Sequence, residues 1–192
     1  LAAGSMFLGE VHEPIKGTKN PQKMLQTGIP FTKKPVALQF DYKVKMSDRE
    51  NRIRATGFSK ITDVPGKDYP AAILLLQKRW EDANGNVYAK RIGTMVTYYY
   101  HSTDWKNNVT YEIMYGDITN RPEYKAHMMR LQATESYTVN SKGESVPIHE
   151  VAWGDENDVP THMYIQFTSS HGGAYIGSPG NTLWVDNVKL VY

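Results

Sequence analysis

The 192-residue chain contains no cysteine. Disulfide scaffolds, thiolate zinc sites, iron–sulfur clusters and cysteine nucleophiles are excluded. Charge of one sign is scarce too. Twenty-two Lys and Arg face 20 Asp and Glu, a formal net charge of +2. So small an excess gives no electrostatic reason to invoke nucleic acid or an anionic membrane. The longest unbroken apolar run covers residues 71–76, far short of the ~20 residues that span a bilayer. The chain opens at Leu1 without an initiator Met or a recognisable secretory leader, so we expect a processed product or a piece of a longer protein. No stretch keeps apolar residues at 3.6-residue spacing over three turns, so helix is expected to be short or absent, around residues 20–25 or 104–107.

What is plentiful points to sheet. There are 13 Tyr, 4 Trp, 15 Gly and 10 Pro. Aromatic rings suit a pleated surface, and Gly and Pro suit frequent turns. Val36, Leu38, Phe40, Tyr42 and Val44 alternate with polar or small residues, a half-buried strand. A weaker strand is expected over residues 52–61. The run from Ala71 to Trp80 reads as a buried strand, followed by Asn84-Gly85, a strong signal for a type I′ hairpin. Residues 74–81 should therefore pair with 87–92. Further strands are expected at Val109–Tyr115 positions of one parity, from Met129 to Tyr137, around Met163, Ile165 and Phe167, and from Thr182 to the end. In the last, Leu183 and Val185 lie on one parity and Val188, Leu190 and Tyr192 on the other. One extra residue at Asp186-Asn187, a β-bulge, would keep both sets facing the core. The expected fold is one all-β domain over residues 1–192, a β-sandwich of jelly-roll type.

Several constellations fail as chemistry. His149-Glu150-Val151-Ala152-Trp153 begins like a helical zinc-protease motif but carries Trp where the second His is required. Glu156-Asn157-Asp158 supplies two acids of a jelly-roll glycanase strand, with Thr161 in the third position. The acidic loop of residues 155–158 lacks the glycine of a helix-loop-helix calcium site. Asn108-Val109-Thr110 matches a glycosylation acceptor, a pattern expected once by chance in a chain of this length. Glu112 falls mid-strand, where it can face a groove or solvent. Trp80 and Trp184 fall in strands and are expected in the core. Trp105 and Trp153 are expected on polar loops, where large rings are harder to explain as packing and where sites concentrate.

The C-terminus is more distinctive. The sequence from Ser169-Ser170-His171-Gly172-Gly173-Ala174-Tyr175 through Gly177-Ser178 to Leu183-Trp184-Val185-Asp186-Asn187-Val188 resembles the end of the putative carbohydrate metabolism domain, common in Bacteroides-type gut bacteria. Lys34-Pro35 leading into Phe40-Asp41-Tyr42-Lys43, and Ala3-Gly4 through Gly9, are similar to other segments of that family. The resemblance implies a carbohydrate-binding jelly roll, exported to the periplasm or cell surface, often as a lipoprotein. It also implies that strands precede Leu1 in other members, so that this chain would lack the first strands of its sandwich. Related sugar-binding modules resemble the Val-Asp-Asn-Val strand, which in them often ligates a structural calcium; Asp186 would take that role here.

The leading expectation is non-catalytic binding of a poly- or oligosaccharide in polysaccharide utilisation. Trp105, Trp153 and Tyr175 would stack on sugar rings, with Gln39, Asp41, His171 and Glu112 as polar partners. A glycoside hydrolase or lyase on the same fold is the alternative; it needs two carboxyls roughly 5–10 Å apart in one cleft, and no such pair is recognisable. A structural or adhesin module is the third, and would show an exposed apolar patch.

Overall fold

The architecture comes from a computed structural model, which describes residues 1–12, 19–57, 59–128, 131, 135–155 and 157–192. In chain order the strands are β1 (Ser5–Phe7), β2 (Gly9–Val11), β3 (Leu25–Thr27), β4 (Ile29–Pro30), β5 (Ala37–Lys45), β6 (Arg52–Arg54), β7 (Thr62–Val64) and β8 (Ala71–Glu81). They continue with β9 (Val87–Tyr98), β10 (Thr103–Glu112), β11 (Met114–Tyr115), β12 (Tyr137–Val139), β13 (Ser145–Trp153), β14 (His162–Thr168), β15 (Ile176–Gly177) and β16 (Thr182–Val191). Among the described residues helix is confined to one 3-10 turn, Pro21–Met24, inside the first window where a short helix was expected. Residues 104–107, the second window, lie in β10.

The strands form a large sheet ordered β1-β14-β8-β9-β13-β12-β3-β2, with β4 beside β14 and β11 beside β9. A small sheet, β10-β5-β16, and a ribbon, β15-β6-β7, complete the set. The chain passes repeatedly between the two main sheets, from β4 to β5 and from β9 to β10 and back to β11. Apolar side chains of one parity meet between them: Leu38, Phe40 and Val44 from β5, Leu74 and Leu76 from β8, Ile165 and Phe167 from β14. Phe40 anchors this layer, with the Phe167 ring edge-on at 4.9 Å and the Tyr111 ring stacked at 5.2 Å. The all-β sandwich read from the sequence is thus the observed fold.

Strand β8 is apolar without alternation because both of its faces are covered. Ala72, Leu74 and Leu76 enter the main core. Ile73 and Leu75 face the other way and join Val96, Tyr98, Met128 and Tyr164 in a second cluster.

Bulges set which residues appear on that second face. Leu76 pairs with Gly93, but Gln77 pairs with Arg91. The skipped Ile92 drops into the core, and Arg91 is turned onto the same face as Gln77. The bulge expected in the last strand is present, between Asp186 and Lys189.

Some expectations change. The β8–β9 hairpin forms, but Gly85 has φ 92° while Asn84 has no positive φ. A type I′ turn needs positive φ at both positions. The link is a longer loop instead, closed by the Asp82 amide to the Asn86 carbonyl and organised by the Asp82 carboxylate, which accepts from the Asn84 and Asn86 amides. Strand β13 joins β9 in parallel, which local alternation cannot reveal. The strand expected over residues 52–61 is only Arg52–Arg54. Of the strand expected from Met129 to Tyr137, Met129 and Ala133 lie outside the described residues, as do Phe58 and Glu156, and β12 begins at Tyr137.

Trp80 and Trp184 are not core residues: they are 43% and 40% exposed. Trp80 lies past the point where β8 is covered and forms a cross-strand ladder with Tyr88 (5.8 Å), which in turn meets His149 (5.7 Å). Trp184 lies opposite Lys43, whose ammonium stands 5.7 Å from its ring.

Candidate functional site

The face of the large sheet turned away from the core carries a cleft of about 210 Å³. Its floor is built from the odd residues of β8 (Ile73, Leu75, Gln77 and Arg79) and from Tyr164, Gln166 and Thr168 of β14. Thr27 and Leu25 of β3 and Ser136 form one wall, and Tyr98 and His171 close the far end.

A polar network occupies the near end. Arg91 is 1% exposed and Glu150 8%. The Arg91 guanidinium grips the Glu150 carboxylate with two nitrogens, Nε at 2.5 Å and Nη2. Gln77 Nε2 donates to the same carboxylate at 2.6 Å. The Gln77 carbonyl oxygen accepts from Arg79 Nε at 2.8 Å, and Arg79 Nη1 donates to the Thr27 carbonyl at 2.9 Å. Around Glu150 these hydrogen bonds supply what a buried charge pair needs to offset its desolvation.

Arg79 Nη2 has no hydrogen-bond partner among the described residues. Room for this guanidinium comes from Gly28: a Cβ there would stand 2.8 Å from Arg79 Nη2, and its φ of +84° also favours glycine. Burial lowers the Arg79 guanidinium to about 10 and Glu150 pulls it back up, so the group is charged at neutral pH. The same neighbourhood acts on His162, which burial and then the Arg79 charge lower to about 4.

The far end is aromatic. The Tyr98 ring lies 5.0 Å from His171 and 4.7 Å from His127, and Tyr69 stacks on His171 at 5.5 Å. His171 is fixed by Asp68, a fully buried carboxylate. Asp68 Oδ1 accepts from the Ser170 hydroxyl (2.9 Å) and the His171 amide (3.2 Å), and Oδ2 from the Ser178 amide (2.8 Å). Burial pushes the Asp68 carboxyl up, but the hydrogen bonds from His171, Ser170 and Ser178 outweigh it and hold it below the usual range. His171 Nδ1 stands between two groups, 3.0 Å from the Tyr69 amide nitrogen and 3.1 Å from Asp68 Oδ1. Ser170-His171 and Gly177-Ser178 of the C-terminal segment are therefore the clamp around Asp68.

The residues singled out in the sequence are not brought together. His171 lines the cleft. Trp153, expected on a loop, is the last residue of β13, opposite Arg91 in register, with that guanidinium 5.7 Å from its ring. Trp105, also expected on a loop, is in β10 and 47% exposed. Tyr175 is half-buried in the turn before β15, with φ 63°. Gln39 donates to the Thr110 hydroxyl at 2.6 Å on the outer face of the small sheet. Asp41 binds two bulge residues, Asn108 and Asn187. Glu112, expected mid-strand, is the exposed last residue of β10. The Asp186 carboxylate accepts from the Asn187 amide at 2.7 Å; no group of three His, Asp or Glu fit to hold a metal occurs among the described residues. Arg79, Arg91, Glu150, Gln166 and Tyr98 were not singled out. For Arg79, Arg91, Glu150 and Gln166 a signal was present: charged and amide side chains among apolar strand residues, where an unpaired charge is untenable.

An all-β sandwich with a polar and aromatic cleft on one sheet defines the class. The chain belongs to the putative carbohydrate metabolism domain family, whose model matches residues 1–191. Among solved structures, it is similar to a putative glycoside hydrolase from Bacteroides thetaiotaomicron VPI-5482, at TM-score 0.55 and 19% identity, covering 100% of this chain and 47% of that one. It is also similar to a putative glycoside hydrolase from Bacteroides vulgatus ATCC 8482, at TM-score 0.52 and 15% identity, covering 99% of this chain and 64% of that one. At such identities the likeness shows the fold. The chain spans less than two thirds of either structure's length. No curated protein matches the sequence.

Proposed function

We propose that this carbohydrate-related domain binds a poly- or oligosaccharide without cleaving it, in the cleft of the large sheet. The observation that carries the reading is the pairing of aromatic faces with free donors along one floor. Tyr98, Tyr164 and His171 line the cleft, and sugar C–H faces rest on such rings. Gln166 accepts from the Tyr164 hydroxyl at 2.9 Å through its carbonyl oxygen, leaving its amide nitrogen for a ligand. Arg79 Nη2 offers a further donor, and the His171 ring supplies a further polar nitrogen. Aromatic walls with a few fixed polar groups are the usual make-up of a small-ligand site.

Catalysis is disfavoured by the state of the carboxylates. Among the described lining residues these are Glu135 and Glu150. Glu150 is held by Arg91 and Gln77, and Glu135 hydrogen-bonds the Tyr137 hydroxyl. A glycosidase needs one carboxyl free to protonate and another free to attack or activate water. Action at the periplasm or cell surface in polysaccharide utilisation belongs to the same proposal, since polymeric glycans are met outside the cell.

The test is a glycan array on the wild type, Gln166→Ala and Tyr98→Ala, with reducing-end release measured on every glycan bound. Specific binding that both variants weaken, with no release, is expected. Release of reducing ends would establish the hydrolase alternative. Binding untouched by either variant would place the site elsewhere.

A further inference from the structure

The polar end of the cleft is not electrically balanced. Among the described residues, two guanidiniums, Arg79 and Arg91, line it against the single buried carboxylate of Glu150. Arg91 satisfies that carboxylate with a two-pronged grip. Arg79 reaches it only through the Gln77 amide, which accepts from Arg79 and donates to Glu150. The remaining carboxylate of the lining, Glu135, is exposed and turned to Tyr137, where water screens it. The excess positive charge thus rests on Arg79, a half-buried lining residue oriented at two of its nitrogens, whose third, beside Gly28, has no hydrogen-bond partner among the described residues.

We propose that the cleft selects a saccharide carrying an oxyanion, a uronate or a sulfate ester, with Arg79 Nη2 as the group that receives it and Gln166 Nε2 as a second donor on the neighbouring strand. This rests on the reading of the cleft as a saccharide site and names the class it takes. The chemistry fits. A planar guanidinium fixed by two hydrogen bonds loses little freedom on binding a third acceptor, and hydrogen bonds between charged partners are the stronger kind. A neutral sugar would leave the charge without a counter-ion while removing its water.

The experiment is titration calorimetry with three galactose-based oligosaccharides of equal length: a neutral galactan, a galacturonan and a sulfated carrageenan. Each is measured at low and at high salt, with wild type, Arg79→Gln and Arg79→Lys. Either charged oligosaccharide should bind the wild type about tenfold or more tightly than the neutral one. That preference should weaken as salt rises and vanish in Arg79→Gln, and Arg79→Lys should retain part of it. Which of the two charged arms binds identifies the oxyanion. The wild-type salt dependence needs no variant, so a misfolded Arg79→Gln would leave the proposal testable. Equal or tighter binding of the neutral galactan would overturn this inference and leave saccharide binding standing. A charged preference that survives in a folded Arg79→Gln would overturn the assignment to Arg79. Binding of none of the three by folded wild type, with an equally blank glycan array, would overturn both readings.

Discussion

The Asp41 carboxylate accepts a 2.7 Å hydrogen bond from the side-chain amide of Asn187, the residue at the bulge of β16. Its other oxygen accepts from the backbone amide of Asn108, in the irregular stretch of β10 on the opposite side of β5. Both asparagines have left-handed backbone, φ 52° and 53°. One side chain in the central strand of the small sheet therefore fastens a bulge in each edge strand. Read from the sequence as a polar partner for sugar, Asp41 has a structural occupation.

That occupation predicts a pH and mutation response. The Asn108 amide first, and then the Asn187 side chain, hold the Asp41 carboxyl below its usual value of 3.8. The stabilisation is present above that value and is lost as pH falls through the lower folded one. Asp41→Ala should lower the melting temperature, flatten its acid limb, and speed amide exchange at Asn108 and Asn187. Glycan binding in the cleft should not change, and calorimetry on the folded variant checks it.

The Arg91–Glu150 pair should behave as a buried ion pair. Glu150→Ala leaves Arg91 buried without its counter-ion, and a loss of ~3–5 kcal/mol is expected. Replacing both by apolar residues of similar size should recover most of it. Urea denaturation of the two single variants and the double measures this directly.

His162 gives a second titration window. Burial and the Arg79 charge lower it from 6.5 to about 4. Between those values the unfolded chain binds more protons, so stability rises with pH across the window and falls on acidification. One group contributes a slope of at most ~1.4 kcal/mol per pH unit. His162→Gln should flatten stability between pH 4 and 6.5, as read by thermal melts in a buffer series.

The strands were legible where one face met water. The alternation of Leu38, Phe40 and Val44 placed β5, and the parity switch at Asp186-Asn187 placed the β16 bulge. The site was less legible, because it depends on two events that leave no local trace. The bulge that turns Arg91 onto the cleft face interrupts a run that is apolar on both sides, and the parallel arrival of β13 brings Glu150 to it from 59 residues away. The tryptophans misled for a related reason. Strand β8 outruns its cover, so Trp80 is exposed, and Trp105 lies in an edge strand of the small sheet, where a ring can face water within regular structure.

That reading has its own test. Trp105→Ala and Trp184→Ala remove exposed rings from the small sheet, and each should shift stability by no more than ~0.5 kcal/mol. Neither should alter affinity for any glycan that the cleft binds.

The most direct test of the account is a backbone and side-chain NMR titration of the wild-type protein with the tightest glycan from the array. The account predicts that the largest shifts map to Arg79 of β8, Tyr98 of β9, Tyr164 and Gln166 of β14, and His171. Shifts concentrated instead on Trp105, Trp184 and Lys43 of the small sheet, or on the Trp80–Tyr88–His149 ladder, would contradict it.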